Sequence, residues 1–323
     1  MNYIHFVGID VSKDWLEVAL CQEQGDKAAQ AERYRNDGDG WAALSRRCAS
    51  LWPETLVVLE STGGYESGLL AHLLAAGVAV HRVHPLTAKH FLRSLHAAKT
   101  DTLDAMALAR YGAERHRHLP LFRAPQAEAA ELATLLARRA ELVGWRAAEQ
   151  SRLQHPRYAG LRASVRRMIR TFDREIAQLE TRMAALVEQS EPLRKRRAVL
   201  ESVKGVAQKT AWVLLAALPE LGSLTRRQAA SLAGCAPHAR DSGQHRGYRR
   251  TGGGRTLVRR ALFLACWSAV RYNPALKPFY DRLRQNGKKP LVALVAAMRK
   301  LITILNAKLR DALAGEIPLA HAI

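Results

Sequence analysis

The chain has 323 residues, 48% of them hydrophobic, a length and composition typical of a globular protein of about two domains. Fifty lysines and arginines against 29 aspartates and glutamates give a net charge of +21. No run of twenty apolar residues predicts a membrane span, and the four scattered cysteines support neither a zinc site nor a disulfide framework. We therefore expect a reducing, cytoplasmic location and no membrane partner.

The excess positive charge is confined to the second half of the chain. Residues 1–150 hold 17 basic and 18 acidic side chains, whereas residues 151–323 hold 33 basic and 11 acidic ones. A polyanion that binds there would relieve the repulsion between like charges. The composition therefore predicts a nucleic-acid partner, and a merely basic protein is the less favoured alternative.

The first 125 residues carry the pattern of an α/β domain. The chain begins with an apolar, β-rich stretch, which predicts a strand rather than a secretion signal, and a second strand follows closely enough to form a hairpin. The predicted elements are strands at 3–9, 15–20, 55–59 and 78–83 and helices at 66–76 and 86–112. This alternation predicts a central sheet covered by helices.

The next segment, 126–195, is predicted to be helical. Apolar residues at three- and four-residue steps predict helices over 127–153 and 159–189, with an interruption at Pro156. The pattern fits one long amphipathic helix or a helical hairpin with coiled-coil pairing. Such a segment either spaces two domains or buries its apolar face against a protein partner.

The last segment, 196–323, is also mainly helical. In GVAQKTAWVLL a glycine turn precedes a helix that starts near Lys209, which resembles a helix-hairpin-helix element. The backbone amides at such a helix start can bind a phosphate. Further helices are predicted at 226–234, 255–271 and 290–312.

Four carboxylates stand where predicted elements begin or end. Asp10 and Glu60 each end a predicted central strand, and neighbouring strand ends meet at one edge of a sheet. Asp101 and Asp104, in AKTDTLDAMALARYG, are three residues apart and share one face of a helix. Carboxylates this close repel one another, and Mg²⁺, which prefers oxygen ligands, relieves the repulsion.

The four acids therefore predict a phosphoryl-transfer site with two Mg²⁺ ions, Mn²⁺ being an alternative. Lys89 and Lys99 are predicted to lie near the scissile backbone. Taken singly, each acid has a simpler explanation as a turn residue, a helix cap or a first-turn residue. Their joint occurrence at two strand ends and one helix start favours the metal site.

Residues 235–255, CAPHARDSGQHRGYRRTGGGR, surround Ser242 with arginines and glycines. Guanidinium groups bind phosphate oxygens in pairs, and glycines let the backbone approach a ligand closely. Lys99 and Lys209 are also predicted to contact nucleic acid. The arginines predicted to bind nucleic acid are Arg240, Arg246, Arg249, Arg250, Arg255, Arg259 and Arg260.

Ser242 itself has two interpretations. It could attack a phosphate as a nucleophile, with arginines stabilising the charge that develops. Alternatively, it is a turn residue in a nucleic-acid-binding loop, since Asp-Ser-Gly is typical of turns. The loop alone favours this second interpretation. His238 and His245 fit either proton acceptors or phosphate contacts.

Four stretches of the sequence together resemble a known family. They are VGIDVSKDWLEVAL, LESTGGYE, AKTDTLDAMALARYG and LAGCAPHARDSGQHRGYRRTGGGR. In this order they are similar to the DEDD-type transposases of bacterial insertion sequences, a family that includes the Piv and MooV invertases. The resemblance covers most of the chain.

The resemblance implies a RuvC-like (RNase H-like) α/β domain over 1–125, a long helical linker or coiled coil over 126–195 and a mainly α transposase domain over 196–323. It implies that Asp10, Glu60, Asp101 and Asp104 are catalytic metal ligands and that Ser242 forms a covalent phosphoserine link to DNA. Members of the family are directed to donor and target DNA by a structured noncoding bridge RNA.

The same resemblance implies a bacterial, nucleoid-associated enzyme that forms dimers and tetramers with composite active sites. Two other functions are compatible with the residues. A Holliday-junction or structure-specific nuclease would use the same acids with water as the nucleophile, and a non-catalytic protein would bind RNA or DNA through its basic surface alone. The sequence has no P-loop, and strand transfer that conserves the phosphodiester bond energy needs no ATP.

Overall fold

The computed structural model describes residues 3–22, 31–95, 100–238, 247 and 249–314. Two units are formed, Met1–Ala124 and Pro125–Ile323. The division of the chain into 1–125, 126–195 and 196–323 stays a prediction.

The first unit is built on a five-stranded mixed sheet with the order β3-β2-β1-β4-β5. The strands are β1 (His5–Val11), β2 (Trp15–Gln22), β3 (Glu32–Arg35), β4 (Thr55–Glu60) and β5 (Ala79–Val83). Neighbours among β1, β2 and β3 run antiparallel, while β4 is parallel to both β1 and β5. The sheet contains the predicted β1–β2 hairpin.

Helices cover both faces of this sheet because its strands are apolar on both sides. One face packs against α1 (Gly38–Cys48) and α2 (Ser67–Ala75), and the other packs against α3 (Pro85–Leu95) and α4 (Asp101–Arg115). The prediction of a single helix over 86–112 is therefore wrong, because two helices, α3 and α4, occupy this stretch and α4 begins with a cap. The Thr100 side chain caps that start by accepting a hydrogen bond from the Leu103 amide at 3.2 Å.

Helix α4 lies directly on the central strand at a glycine. A Cβ atom added to Gly8 would stand 2.1 Å from the carbonyl oxygen of Ala105 and 2.2 Å from the amide nitrogen of Ala109. One turn further along, a Cβ atom added to Gly112 would stand 2.9 Å from the Val58 side chain and 3.2 Å from the Phe6 ring. The absence of side chains at these two glycines lets the helix backbone contact the sheet.

The second unit begins with a helical hairpin of α5 (Ala127–Gln154) and α6 (Arg162–Gln189). The two helices run antiparallel, joined by a 3₁₀ segment, Pro156–Leu161. Ion pairs bridge them, including Arg139 with Glu180 at 2.7 Å and Arg146 with Asp173 at 2.9 Å. The structure thus has the hairpin rather than one continuous helix.

Six further helices and a short two-stranded ladder complete the described part of the second unit. They are α7 (Glu191–Glu201), α8 (Gln208–Ala217), α9 (Arg226–Leu232), β6 (Pro237–His238), β7 (Arg250–Thr251), α10 (Thr256–Tyr272), α11 (Lys277–Gln285) and α12 (Pro290–Leu313). One buried core joins α8, α10 and α12 to residues of the hairpin such as Leu132 and Met183.

Among the described helices, α12 is the one long and apolar enough to cross a bilayer by length and composition. Its face with Leu294, Met298, Leu301 and Leu305 is buried in the core of the second unit. A core position accounts for that hydrophobicity, so the helix gives little support for a membrane span.

Replacing Gly8 with alanine should destabilise the first unit by about 3 kcal/mol or more, because the new Cβ atom meets rigid backbone rather than a side chain. The matched control is Gly144→Ala in α5, where an added Cβ meets nothing within 4 Å. That substitution should stabilise its helix by about 0.5–1 kcal/mol. Chemical denaturation with hydrogen exchange of peptides from each unit measures both effects, and equal stabilities of the Gly8→Ala and wild-type proteins would contradict the described packing.

Candidate functional site

Two of the predicted acids lie side by side at the ends of neighbouring parallel strands. Ile9 of β1 is in register with Leu59 of β4, so Asp10 and Glu60 occupy adjacent positions at the carboxyl ends of their strands. Side chains alternate along a strand, which places both acids on the sheet face that carries Phe6, the face that packs against α3 and α4. The expected meeting of the two strand ends is present.

Helix α4 brings the other two acids to the same end of that face. Gly112 lies over Phe6, and the turn from Ala105 to Ala109 lies over Gly8. Helix α4 therefore runs antiparallel to β1 and begins beside the carboxyl end of that strand. Asp101 and Asp104 occupy the first turn of α4 and therefore lie beside the end of β1. The fold gathers all four predicted positions at one edge, although their role as metal ligands stays a prediction.

The side chains of these acids do not form a ready metal site. Within the described residues, no three histidine, cysteine, aspartate or glutamate side chains are arranged to hold one ion. The donor type fits Mg²⁺, because carboxylate oxygens are its preferred ligands, and the backbone positions fit a shared site. Of the two predicted lysines, Lys89 is exposed on α3, and Lys99 lies outside the described residues.

The segment that carries Ser242 is held at both ends by the β6–β7 ladder. Pro237 pairs with Thr251, and His238 pairs with Arg250. Ser242, Arg240, Arg246 and His245 lie outside the described residues, so their predicted roles stay predictions. The ladder fixes where the segment leaves and rejoins the second unit.

The glycines after β7 serve packing as well as ligand access. Gly254 has a φ of +64°, and a Cβ atom there would stand 2.4 Å from the Gly234 amide nitrogen and 2.6 Å from the Leu232 carbonyl oxygen. These contacts fix the end of the segment against the end of α9. At Gly252, by contrast, an added Cβ would meet nothing within 4 Å.

Several cations predicted to bind nucleic acid contact groups of the protein itself. Arg255 forms a two-pronged pair with Glu220, at 2.7 and 2.8 Å, and also donates to the Ala217 carbonyl at 2.8 Å. The hydrogen bonds from Arg255 hold the pKa of the Glu220 carboxyl below its ordinary value. Arg259 donates to the Gly253 carbonyl at 3.2 Å. These two arginines therefore stabilise the segment ends, and their binding of nucleic acid stays a prediction.

The stretch predicted to resemble a helix-hairpin-helix element consists of the end of α7, a turn and α8, and the resemblance stays a prediction. Gly205 adopts a φ of +102° in the turn, and the Asn273 side chain donates to the Lys204 carbonyl at 2.9 Å. Lys209, in the first turn of α8, pairs with Glu180 of the hairpin at 2.7 Å. Its predicted contact with a phosphate would compete with that pair.

Sequence reasoning missed a buried carboxylate beside Glu60. Glu66 is 2% exposed, and its Oε2 accepts hydrogen bonds from the Gly64 amide at 2.9 Å, the Thr62 hydroxyl at 3.1 Å and the Thr62 amide at 3.3 Å. Burial raises its pKa, but the hydrogen bonds outweigh burial and the net pKa is lowered. Glu66 thus fixes the loop that follows Glu60. The available signal was an acid placed just after the polar stretch STGG.

The buried thiols offer no alternative nucleophile in the described part of the site. Burial raises the pKa of Cys235, below the ladder, to about 11 despite the nearby guanidinium groups of Arg259 and Arg299. Burial likewise raises the pKa of Cys266 to about 12. Both thiols are protonated at neutral pH, and a protonated thiol is a weak nucleophile.

Comparison with known proteins assigns the chain to a family. Residues 7–155 match a model of DEDD-type IS110 proteins described as transposase, and residues 197–281 match a model described as transposase of the IS116/IS110/IS902 family. The two matches together cover well over half of the chain. The chain belongs to the IS110-type transposase family, as the resemblance of its motifs implied, and this is a family of DNA recombination enzymes.

Individual relatives agree with this assignment. The pilin gene-inverting protein of Moraxella bovis is 29% identical over 320 residues, 95% of this chain and 96% of its own length. An insertion element IS110 protein of Streptomyces coelicolor is 39% identical over 41% of this chain and 32% of its own length. Among solved structures, Thermus thermophilus RuvC in complex with a Holliday junction substrate is similar over 37% of this chain and all of its own, with 15% identity and a TM-score of 0.30.

Replacing Glu66 with glutamine should destabilise the first unit at pH 7 by about 1–3 kcal/mol. Both carboxylate oxygens accept hydrogen bonds, and the NH₂ group that replaces one of them cannot accept any. The lowered pKa means that the carboxylate stabilises the fold above its ordinary value of 4.5 and that this contribution is lost as the pH falls. The difference between wild type and variant should therefore shrink below about pH 4.5. Denaturation at several pH values measures it.

The control for this experiment is Glu114→Gln, which removes an exposed helix pair with Arg110 at 2.7 Å. It should change stability by less than about 0.5 kcal/mol. A Glu66→Gln protein as stable as this control would show that the loop after Glu60 does not depend on the buried carboxylate.

Proposed function

We propose that this transposase is a Mg²⁺-dependent, RNA-guided DNA recombinase that cuts and joins strands through a covalent link to Ser242. The observation that carries the proposal is the gathering of Asp10, Glu60, Asp101 and Asp104 at one end of one sheet face. Four acids whose backbone positions share one end of a sheet face suit metal-assisted phosphoryl transfer.

The four acids would hold Mg²⁺, with two ions expected and Mn²⁺ as an alternative. When bound, the metal supplies positive charge that stabilises the phosphate as its bonds change. The loop fixed by Glu66 and the α4 cap at Thr100 position Glu60 and Asp101, so the carboxylates are supported by groups that have no contact with the substrate.

The chemical step is a transesterification at a DNA backbone phosphate. A bond forms between the Ser242 Oγ and phosphorus while the bond to the 3′ oxygen breaks, and the serine proton passes through a general base to the 3′ oxygen, which leaves as a hydroxyl. A hydroxyl of the partner strand then displaces Oγ and restores the serine. Arginines beside the serine stabilise the charge on the phosphate in both steps.

The partners follow from the charge of the second half and from the family. Residues 151–323 carry 33 basic side chains against 11 acidic ones, which suits donor DNA, target DNA and a structured bridge RNA. The Moraxella bovis relative is named for inverting a gene, and a DNA rearrangement of that kind needs two sites cut in one assembly. We place the enzyme in the bacterial cytoplasm on the nucleoid, as a dimer or tetramer.

Substituting Ser242 with alanine should abolish a protein–DNA adduct that survives denaturation, because no other hydroxyl replaces Oγ. The same variant should still co-purify with RNA transcribed from the DNA that flanks its gene. The matched control is Ser231→Ala in α9, which should form the adduct at the wild-type level. Denaturing gels with labelled DNA and sequencing of the co-purified RNA provide the two measurements.

An adduct that persists in the Ser242→Ala protein would overturn the covalent mechanism. Cleavage to hydrolysed ends without any adduct, insensitive to this substitution, would instead indicate a nuclease that uses the same acids with water. Neither cleavage nor adduct in the wild-type protein, with RNA and DNA binding intact, would indicate a non-catalytic binding protein.

Substituting Asp10 with asparagine should lower the rate of adduct formation about a hundredfold or more, because it removes a ligand charge from the metal site. Chelation of divalent ions should stop the wild-type reaction, and added Mg²⁺ should restore it. The control, Asp14→Asn, lies in the exposed β1–β2 turn and should leave the rate unchanged. Wild-type rates in the Asp10→Asn protein, measured by the same gels, would exclude the acidic cluster from the chemistry.

A further inference from the structure

The second unit contains a groove that the proposed chemistry does not use. Its volume is about 740 Å³, and it lies between α9, the β6–β7 ladder, α11 and α12. A volume of this size accommodates a small organic molecule or one nucleotide. All of its lining residues belong to one unit, so the groove exists in a single chain.

The interior of the groove is apolar. Leu291 and Val292, at the start of α12, are 60% and 41% exposed, although large aliphatic side chains are usually buried. Val295, Ala296 and Phe279 continue the same lining and are half-buried. The opposite side of α12 packs in the core, so folding of the chain leaves these apolar side chains open to solvent.

The rim of the groove is basic. It is lined by four arginines, Arg226, Arg249, Arg250 and Arg299, and by Lys300, and no acidic residue lines it among those that the structure describes. Among the described residues, no carboxylate lies within ion-pair distance of any of the four arginines, whereas Arg139, Arg146 and Arg182 pair across the hairpin. The groove therefore concentrates unneutralised positive charge around an apolar interior, which complements an anion with an apolar body.

We propose that this groove binds an unpaired nucleotide of the DNA strand that is being exchanged. The base would occupy the apolar interior, and the phosphates on either side of it would contact the arginines of the rim. Unpaired nucleotides combine an apolar ring with flanking negative charges, and proteins that act on single strands bind them in grooves of this type. A duplex would present only phosphates and leave the apolar interior unused.

The position of the groove connects it to the strand. Arg250 lies on β7, whose ladder holds the two ends of the segment that carries Ser242. A strand delivered to that segment therefore passes beside the groove. This inference rests on the proposed function for the identity of the strand, while the shape and charge of the groove do not depend on it.

The test uses two neighbouring arginines of α9. Both are exposed, but Arg226 lines the groove and Arg227 does not. In the full chain, Arg226→Gln should weaken binding of a short labelled single-stranded DNA about tenfold and lower the salt slope by about one. Arg227→Gln should weaken binding less than about threefold. Fluorescence anisotropy at several salt concentrations gives both values.

The apolar interior is tested separately. A strand of the same length with abasic sugars should bind the wild-type protein about tenfold more weakly, because it keeps the phosphates and loses the rings. Ala296→Phe, which fills the groove, should remove the difference between the ordinary and the abasic strand and leave binding of duplex DNA unchanged. These two comparisons distinguish the contribution of the bases to binding affinity from that of the phosphate charges.

Equal binding by the Arg226→Gln and Arg227→Gln proteins, or no penalty for the abasic strand, would overturn the proposal. Tighter binding of an RNA strand with the same sensitivity to Arg226 would reassign the groove to RNA, and cross-links between the groove and a second copy of the chain would reassign it to a protein. Loss of the Ser242 adduct chemistry would leave these binding results unchanged, so failure of the proposed function would be recognised independently.

Discussion

The contact between the backbone of α4 and the central strand at Gly8 is the constraint on which the candidate site depends. Because no side chain separates the two, the helix can follow β1 closely enough to set its first turn at the end of that strand. Asp101 and Asp104 thereby reach the edge where Asp10 and Glu60 already stand side by side. The acids come from three elements distant in sequence: strand register places Asp10 beside Glu60, and the close packing of α4 on β1 places Asp101 and Asp104 at the same end. Glu66 adds a second constraint by fixing the loop after Glu60.

The distribution of ion pairs divides the arginines of the second unit into two groups. Three arginines of the hairpin, Arg139, Arg146 and Arg182, pair with carboxylates of the facing helix, and Arg255 pairs with Glu220. Exposed pairs of this kind contribute little to stability, but they reduce the charge that the hairpin offers to a polyanion. The arginines around the groove have no such partners among the described residues, so their full positive charge is available to attract nucleic acid.

The sequence predicted the elements whose hydrophobic pattern is strong. It missed elements that are largely exposed, and it could not relate residues of separate elements to one another. Strands β1, β2, β4 and β5 and the long helices α5, α6, α10 and α12 were predicted to within a few residues. Strand β3 was missed because it is a largely exposed edge strand, ERYR, without apolar alternation. Helix α11 was missed because none of its residues is buried. The positions of Asp10 and Glu60 were predicted because strand ends are predictable, and the role of the four acids stays a prediction. The groove draws residues from separate elements, which periodicity cannot relate.

The antiparallel hairpin is an arm that is anchored in the core of the second unit at one end only. Each of its helices has 28 residues and spans about 42 Å at 1.5 Å per residue, yet only the end nearer α8 is built into the core. The far tip, around Pro156, packs against nothing but its own two helices among the described elements. Adding or deleting matched turns there would alter the reach of this arm without disturbing either the sheet edge or the ladder. The length of this arm can therefore change without a change in the buried core of the second unit.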